Sequence, residues 1–218
     1  QYSKLKKKKI TALGTTGMLP ALVILDKNGK VIRNSIQQSD GRTGKQIGQL
    51  FNYKIQKWFV KKTKCGVNQQ LIAPKLLWLK QNEKNNFKKI HTIFGSYDFI
   101  NFKLTGKYSI EHNWALESGL MDFKKKKFTS DLVKLGSIKL SMLPKIFPSD
   151  HILGNISENL SKELSLEKNV KVIAGCADHV VSAFSAGIKK RGDVLLKFGG
   201  AGDILIATNK PIDDQRLF

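Results

Sequence analysis

A chain of 218 residues with 41% hydrophobic residues and 18 glycines can bury a sizeable core, and its make-up fits an α/β protein of one domain, or one domain plus part of another. Of its 38 basic residues only Arg33, Arg42, Arg191 and Arg216 are arginine, the side chain that grips bases and phosphates bidentately, so the formal charge of +21 reads as solvated lysine faces and argues against specific nucleic-acid readout. Cys65 and Cys176 have no CxxC partner and no histidine at ligand spacing, and no run of 18 apolar residues occurs, which argues against a disulfide framework, a zinc site or a membrane span and for a reducing, cytoplasmic setting.

Lys6 to Lys9 followed by the uncharged stretch Ile10 to Leu25 mimics a signal peptide, but Gly14, Gly17 and Pro20 interrupt the stretch and no small-residue cleavage site follows. The chain opens instead with strands, at Lys9 to Ala12 and at Ala21 to Leu25, the latter turning through Lys27, Asn28 and Gly29 into Val31 to Arg33. A loop carries Gln37, Gln38, Ser39, Asp40, Gly41 and Arg42. Helical patterning follows at Gly44 to Tyr53, at Ala73 to Gln81 with Leu76, Leu77 and Leu79, and at Ser96 to Leu104, which Thr105, Gly106 and Lys107 stop. Further helices are expected at Ser130 to Leu135 and Ser157 to Leu164, with Pro144 and Pro148 punctuating the stretch between them.

Val170 to Ala174 reads as a buried strand, Gly175 to Ala177 as a turn, and Val180 to Ala186 as the apolar face of a helix. Asp178 therefore falls at a strand-to-helix junction. Open α/β sheets bind ligands at such carboxyl ends, where a free carboxylate can accept a hydroxyl proton; a simple cap on the following helix is the other reading. Val194 to Phe198 and Ile204 to Thr208 flank Gly199, Gly200, Ala201, Gly202 and Asp203 as a hairpin, whose glycines either cradle phosphate oxygens through backbone N–H groups or merely make the turn. Of the histidines His91, His112, His151 and His179, the last matters because it adjoins Asp178.

Six of these segments, in order, resemble the FGGY carbohydrate kinases. Thr16 to Asp26 (TGMLPALVILD) is similar to the family's SGQMHGxVLLD strand and Ile36 to Thr43 to its LWxDxRT stretch. Ala73 to Leu79 (APKLLWL) looks like the PKLLWL helix and Tyr97 to Gly106 like the DYLxxxLTG segment. Ala174 to Gly187 resembles the GxxDxxAxAxGxG element, and Phe198 to Asp203 the glycine-rich phosphate loop of the second domain. The resemblance implies a two-domain, actin-like (ribonuclease H-like) ATPase fold that closes on sugar and ATP with Mg²⁺; no residue of this chain is assigned as a metal ligand. Asp178 would be the general base, Leu19, Pro20, Asp40, Arg42 and His179 would contact or line the sugar site, and Gly199, Gly200, Ala201 and Gly202 would approach the ATP phosphates.

Departures accompany the match. Pro20 stands where many xylulose kinases have histidine, Gln38 replaces a tryptophan, and His179 replaces a common asparagine. The loop reads Gly-Gly-Ala-Gly in place of Gly-Thr-Ser-Gly. The family's opening strand and Asp-x-Gly-Thr/Ser loop are not matched. The expectation is thus a fragment, residues 1–187 being most of the sugar-binding domain and 188–218 the start of the nucleotide-binding domain, with no turnover alone and with hairpin edges open to association, a homodimer included. Two other readings are a basic module holding nucleic acid or another anion, and a family member that binds sugar without catalysis.

Overall fold

The computed structural model of the chain describes residues 9–198 and 202–210. In chain order its strands are β1 (Ala12–Gly17), β2 (Val23–Leu25), β3 (Thr92–Phe94), β4 (Ile110–Glu111), β5 (Met121–Asp122), β6 (Lys127–Phe128), β7 (Ile146–Phe147), β8 (Ile152–Asn155), β9 (Lys171–Ala177), β10 (Val194–Phe198) and β11 (Gly202–Ile206). Its α-helices are α1 (Gly44–Leu50), α2 (Tyr53–Thr63), α3 (Ile72–Asn82), α4 (Lys84–Lys89), α5 (Ser96–Thr105), α6 (His112–Glu117), α7 (Ser130–Leu135), α8 (Glu158–Glu163) and α9 (Asp178–Ser185). This is the mixed α/β composition the sequence led us to expect.

The sheet that positions the site has the order β1-β9-β8. β1 and β9 run parallel, from Ala12 opposite Lys171 to Gly17 opposite Ala177, and β8 pairs antiparallel with β9. The parallel pair is joined by most of the chain, whose helices and short two-stranded ladders build the main core around Leu22, Ile24, Leu76, Phe94, Tyr97 and Trp114. Burying these side chains supplies the driving force that the weak ladders lack. A smaller cluster of Phe51, Phe59, Leu71 and Leu132 seats α2, and Ile156, Val170 and Val172 form a third beneath the sheet.

Several expected boundaries move. The first strand begins at Ala12, where it was expected to end, and runs on through Gly17. Its Ala-Leu-Gly-Thr-Thr-Gly sequence has little strand propensity, so the ladder to β9 decides its conformation. Gly175 to Ala177 belong to β9 and not to a turn. The register steps by two residues from Gly14 to Thr16 but by three from Ile173 to Cys176, a bulge on β9 that Gly175 makes possible at φ +80. A Cβ there would sit 1.9 Å from the Thr15 carbonyl oxygen, so no other residue fits this backbone unshifted.

The helix expected over Gly44 to Tyr53 stops at Leu50, because the Asn52 side chain accepts from Ile55 N–H at 3.0 Å and starts α2 instead. The sequence of α2 carries no clear helical period, because Lys54, Lys57, Lys61 and Lys62 crowd the stripe of Ile55, Phe59 and Thr63. α3, α5, α7 and α8 fall within a residue of their expected limits. α9 starts at Asp178, ahead of the expected Val180, and the second hairpin strand starts at Gly202, ahead of Ile204. α4, α6 and the strands β3 to β8 are too short to carry a period and were not anticipated.

Candidate active site

Because β1 and β9 are parallel and end level, Gly17 opposite Ala177, the turn leaving β1 and the helix leaving β9 emerge side by side. That places Met18, Leu19 and Pro20 next to Asp178 and His179, the position at which sheets of this kind receive ligands. The turn is held through its carbonyls. Ser96 Oγ on α5 donates to Met18 O at 2.9 Å, Lys75 Nζ on α3 donates to Pro20 O at 2.8 Å, and Trp114 Nε1 on α6 donates to Ala21 O at 2.9 Å. Lys75 and Trp114 are wholly buried, so two of these donors are shielded from water. The Leu19–Pro20 peptide is cis. Leu19 is 2% exposed and Pro20 is buried, so both side chains belong to the core; the exposed side chain of the turn is Met18.

Lys75 also reaches toward the second group of expected residues. Burial pulls its ammonium down to about 8, against the attraction of the Asp40 carboxylate. Asp40 is gripped by Arg42 through a fork, Nε to Oδ1 at 2.8 Å and Nη2 to Oδ2 at 2.7 Å, and this hydrogen bonding holds its carboxyl below the usual range and raises the guanidinium. The Arg42 guanidinium lies 4.7 Å over the Trp78 ring. Lys75 and Trp78 share α3, which therefore ties the Asp40–Arg42 loop to the Pro20 turn.

Asp178 opens α9, and its side chain is 47% exposed. Ala177 takes the cap position without a side-chain bond, while Asp178 Oδ1 accepts from the next N–H, His179, at 2.7 Å. One carboxylate oxygen thus steadies the helix start, and the half-exposed group keeps further acceptor capacity for a hydroxyl. The His179 ring lies between two carboxylates, with Nε2 3.1 Å from Glu117 Oε1 and Nδ1 3.7 Å from Asp178 Oδ1. Hydrogen bonding to Glu117, ahead of the opposing effect of burial, raises the imidazole above its ordinary value.

Behind the junction lies a buried polar cluster. Glu111 accepts from Tyr97 Oη at 2.7 Å, Ser149 Oγ at 2.7 Å and Asn113 Nδ2 at 2.9 Å, and it caps α6 through Asn113 N–H. Asp98 accepts from Glu111 N–H at 2.8 Å, and burial pushes its carboxyl well above the usual range. Asn113 Nδ2 stands 3.3 Å from Cys176 Sγ, which links the cluster to the end of β9 just before Asp178.

Gly199, Gly200 and Ala201 lie outside the described residues, while Gly202 opens β11 opposite Phe198. Among the described residues no group of three histidine, cysteine or carboxylate side chains comes together as a metal site. Two open surface hollows, around Ser165–Asn169 and between His112, Lys126 and Phe147, have neither Asp178 nor the Met18 turn in their walls. Sequence reasoning missed Glu117, Lys75, Ser96 and Trp114. Lys75 sits in the APKLLWL helix, where its sequence position marks it only as helical, and nothing local marks Glu117 as a partner of a distant histidine.

Comparison with known proteins shows the family and the fold. Residues 1–185 match the profile of the N-terminal domain of the FGGY family of carbohydrate kinases. The xylulose kinase of Bacillus subtilis is 29% identical over 203 residues, which cover 93% of this chain and 40% of that protein. The crystal structure of xylulose kinase from Rhodospirillum rubrum superposes with a TM-score of 0.92 at 43% identity, covering 95% of this chain and 43% of that one. Plasmodium falciparum glycerol kinase with ADP, at 23% identity and a TM-score of 0.84, shares the fold. The architecture is thus the actin-like one of the sugar kinases, and the chain spans about two fifths of the length of the curated relatives it matches.

Proposed function

The chain belongs to the FGGY family of carbohydrate kinases, and on that premise we propose that it supplies the sugar-binding half of an enzyme that phosphorylates a hydroxyl of a xylulose-like ketose or a polyol. The observation that carries the reading is the half-exposed Asp178 at the joint carboxyl end of β1 and β9, beside the clamped Met18–Ala21 turn. In this reading Asp178 takes the proton of the attacking hydroxyl as its oxygen bonds to the terminal phosphorus of ATP, and ADP leaves. The Asp40–Arg42 pair and His179 line the sugar site, while Leu19 and Pro20 act through the shape of the turn, since their side chains are buried.

ATP, with its Mg²⁺, enters as co-substrate, and Gly199, Gly200, Ala201 and Gly202 are assigned to its phosphates. No metal-ligand set occurs among the described residues, so no residue of this chain is assigned to the ion. We place the sugar-binding domain in residues 1–187 and the start of the nucleotide-binding domain in 188–218. Phosphoryl transfer needs both partners held in line, so the 218 residues by themselves are expected to bind sugar without turnover.

The test is sugar-dependent ADP release by the full-length gene product over a panel of ketoses and polyols. Turnover with one sugar, reduced about 10²- to 10⁴-fold in Asp178→Ala, is the expected result. A folded protein that binds sugar but releases no ADP would favour the non-catalytic relative instead.

A further inference from the structure

Glu117 is the one carboxylate described on α6 besides the cap residue Glu111 that precedes it, and it ends the helix whose Trp114 clamps the Ala21 carbonyl. Its Oε1 lies 3.1 Å from His179 Nε2, so the ring is fixed at its far edge by an element foreign to its own helix. The opposite edge, Nδ1, then faces Asp178 Oδ1 across 3.7 Å. That separation is too long for a direct hydrogen bond, yet two acceptors so spaced can each receive a hydroxyl from one sugar.

We propose that Glu117 is a positioning residue that turns His179 into a proton-gated partner of Asp178. With the ring neutral, Nε2–H donates to Glu117, and Nδ1 is an acceptor that takes a sugar hydroxyl next to the one Asp178 deprotonates. With the ring protonated, Nδ1–H points at the Asp178 carboxylate and competes with the hydroxyl for it. Sugar binding therefore weakens as pH falls through the His179 titration. The charged groups that act on the ring are Glu117 from α6 and Asp178 from α9 itself; β1 and β9, against which α9 packs, bring Gly17, Cys176 and Ala177 to the junction, and burial keeps the Cys176 thiol neutral. The catalytic consequence rests on the kinase reading, whereas the pairing of Glu117 with His179 does not.

Two readouts separate these. Long-range ¹H–¹⁵N spectra of the 218-residue chain are expected to show the neutral ring of His179 as the Nε2–H tautomer, with a titration midpoint above that of an ordinary imidazole. Glu117→Gln keeps an acceptor for Nε2–H but removes the charge, so it should retain the tautomer and lower the midpoint. In the full-length gene product the same substitution should then move the acid limb of kcat/KM to lower pH, chiefly through a smaller rise in sugar KM. A Nδ1–H tautomer, or a midpoint that Glu117→Gln leaves in place, overturns the proposal; the tautomer is read on the unaltered chain, so misfolding of the variant does not rescue it. Absence of ADP release with any sugar would instead count against the kinase reading while the spectra still decide the pairing.

Discussion

Lys75 is the most demanding side chain near the site, an ammonium with no solvent exposure that donates to the Pro20 carbonyl. Its pKa is drawn from the ordinary 10.5 down to about 8 by burial, so between these values the unfolded chain binds a proton that the native chain has shed. Stability conferred at this position must rise with pH across that window and level off above it. Urea unfolding of the native chain and of Lys75→Met, compared below pH 8 and near pH 10.5, is expected to show a difference that grows in favour of the native chain. A constant difference would mean that the ammonium is better solvated than the structure indicates. At neutral pH we expect Lys75→Met to free the Pro20 turn and to weaken sugar binding by about tenfold, the equivalent of one lost hydrogen bond.

At the scale of the element, the β9 bulge sets where Asp178 lands. One extra residue between Ile173 and Cys176 changes the face on which the following side chains emerge. Gly175→Ala would bring its methyl group against the Thr15 carbonyl and also force a left-handed backbone on alanine, and we expect a loss of about 3 kcal/mol or more in urea unfolding. Gly187 shares the positive φ, at +95, but has open space around it, so Gly187→Ala should lose only about 1 kcal/mol. Equal losses at the two positions would show that the strand pair yields, and that the bulge does not fix the position of Asp178.

At the scale of the molecule, charge and apolar surface pull in opposite directions. β10 and β11 pair Val194 with Ile206 and Leu196 with Ile204, and these four side chains with Phe198 lie on one exposed face. A net charge of +21 keeps copies apart at low ionic strength, and salt screens that repulsion without weakening apolar contact. Sedimentation velocity should therefore show self-association that increases with salt, and Leu196→Lys with Ile204→Lys should abolish it. Binding to duplex DNA that falls steeply with salt, with no self-association, would point instead to the basic-module reading.

Much of this protein was written locally. The apolar stripe of α3, the stop at Gly106 and the glycine-flanked hairpin are short-range signals, and the Asp40–Arg42 fork joins residues two positions apart. Asp178 could be found because a strand followed by a helix leaves its mark in a dozen residues, and the six ordered segments were enough to name the family. What lay beyond the sequence depends on pairs distant along the chain. Ala-Leu-Gly-Thr-Thr-Gly becomes a strand because β9 lies beside it, and the apparent turn at Gly175 is a bulge because Thr15 stands opposite. Leu19 and Pro20 withdraw into the core because Ser96, Lys75 and Trp114 draw in the surrounding carbonyls, and Glu117 meets His179 because the end of α6 lies against the start of α9. Periodicity and turn chemistry act over a few residues and are read from order alone; burial and partner choice are settled when the chain closes on itself, so the contacts that prepare Asp178 were decided by the tertiary structure.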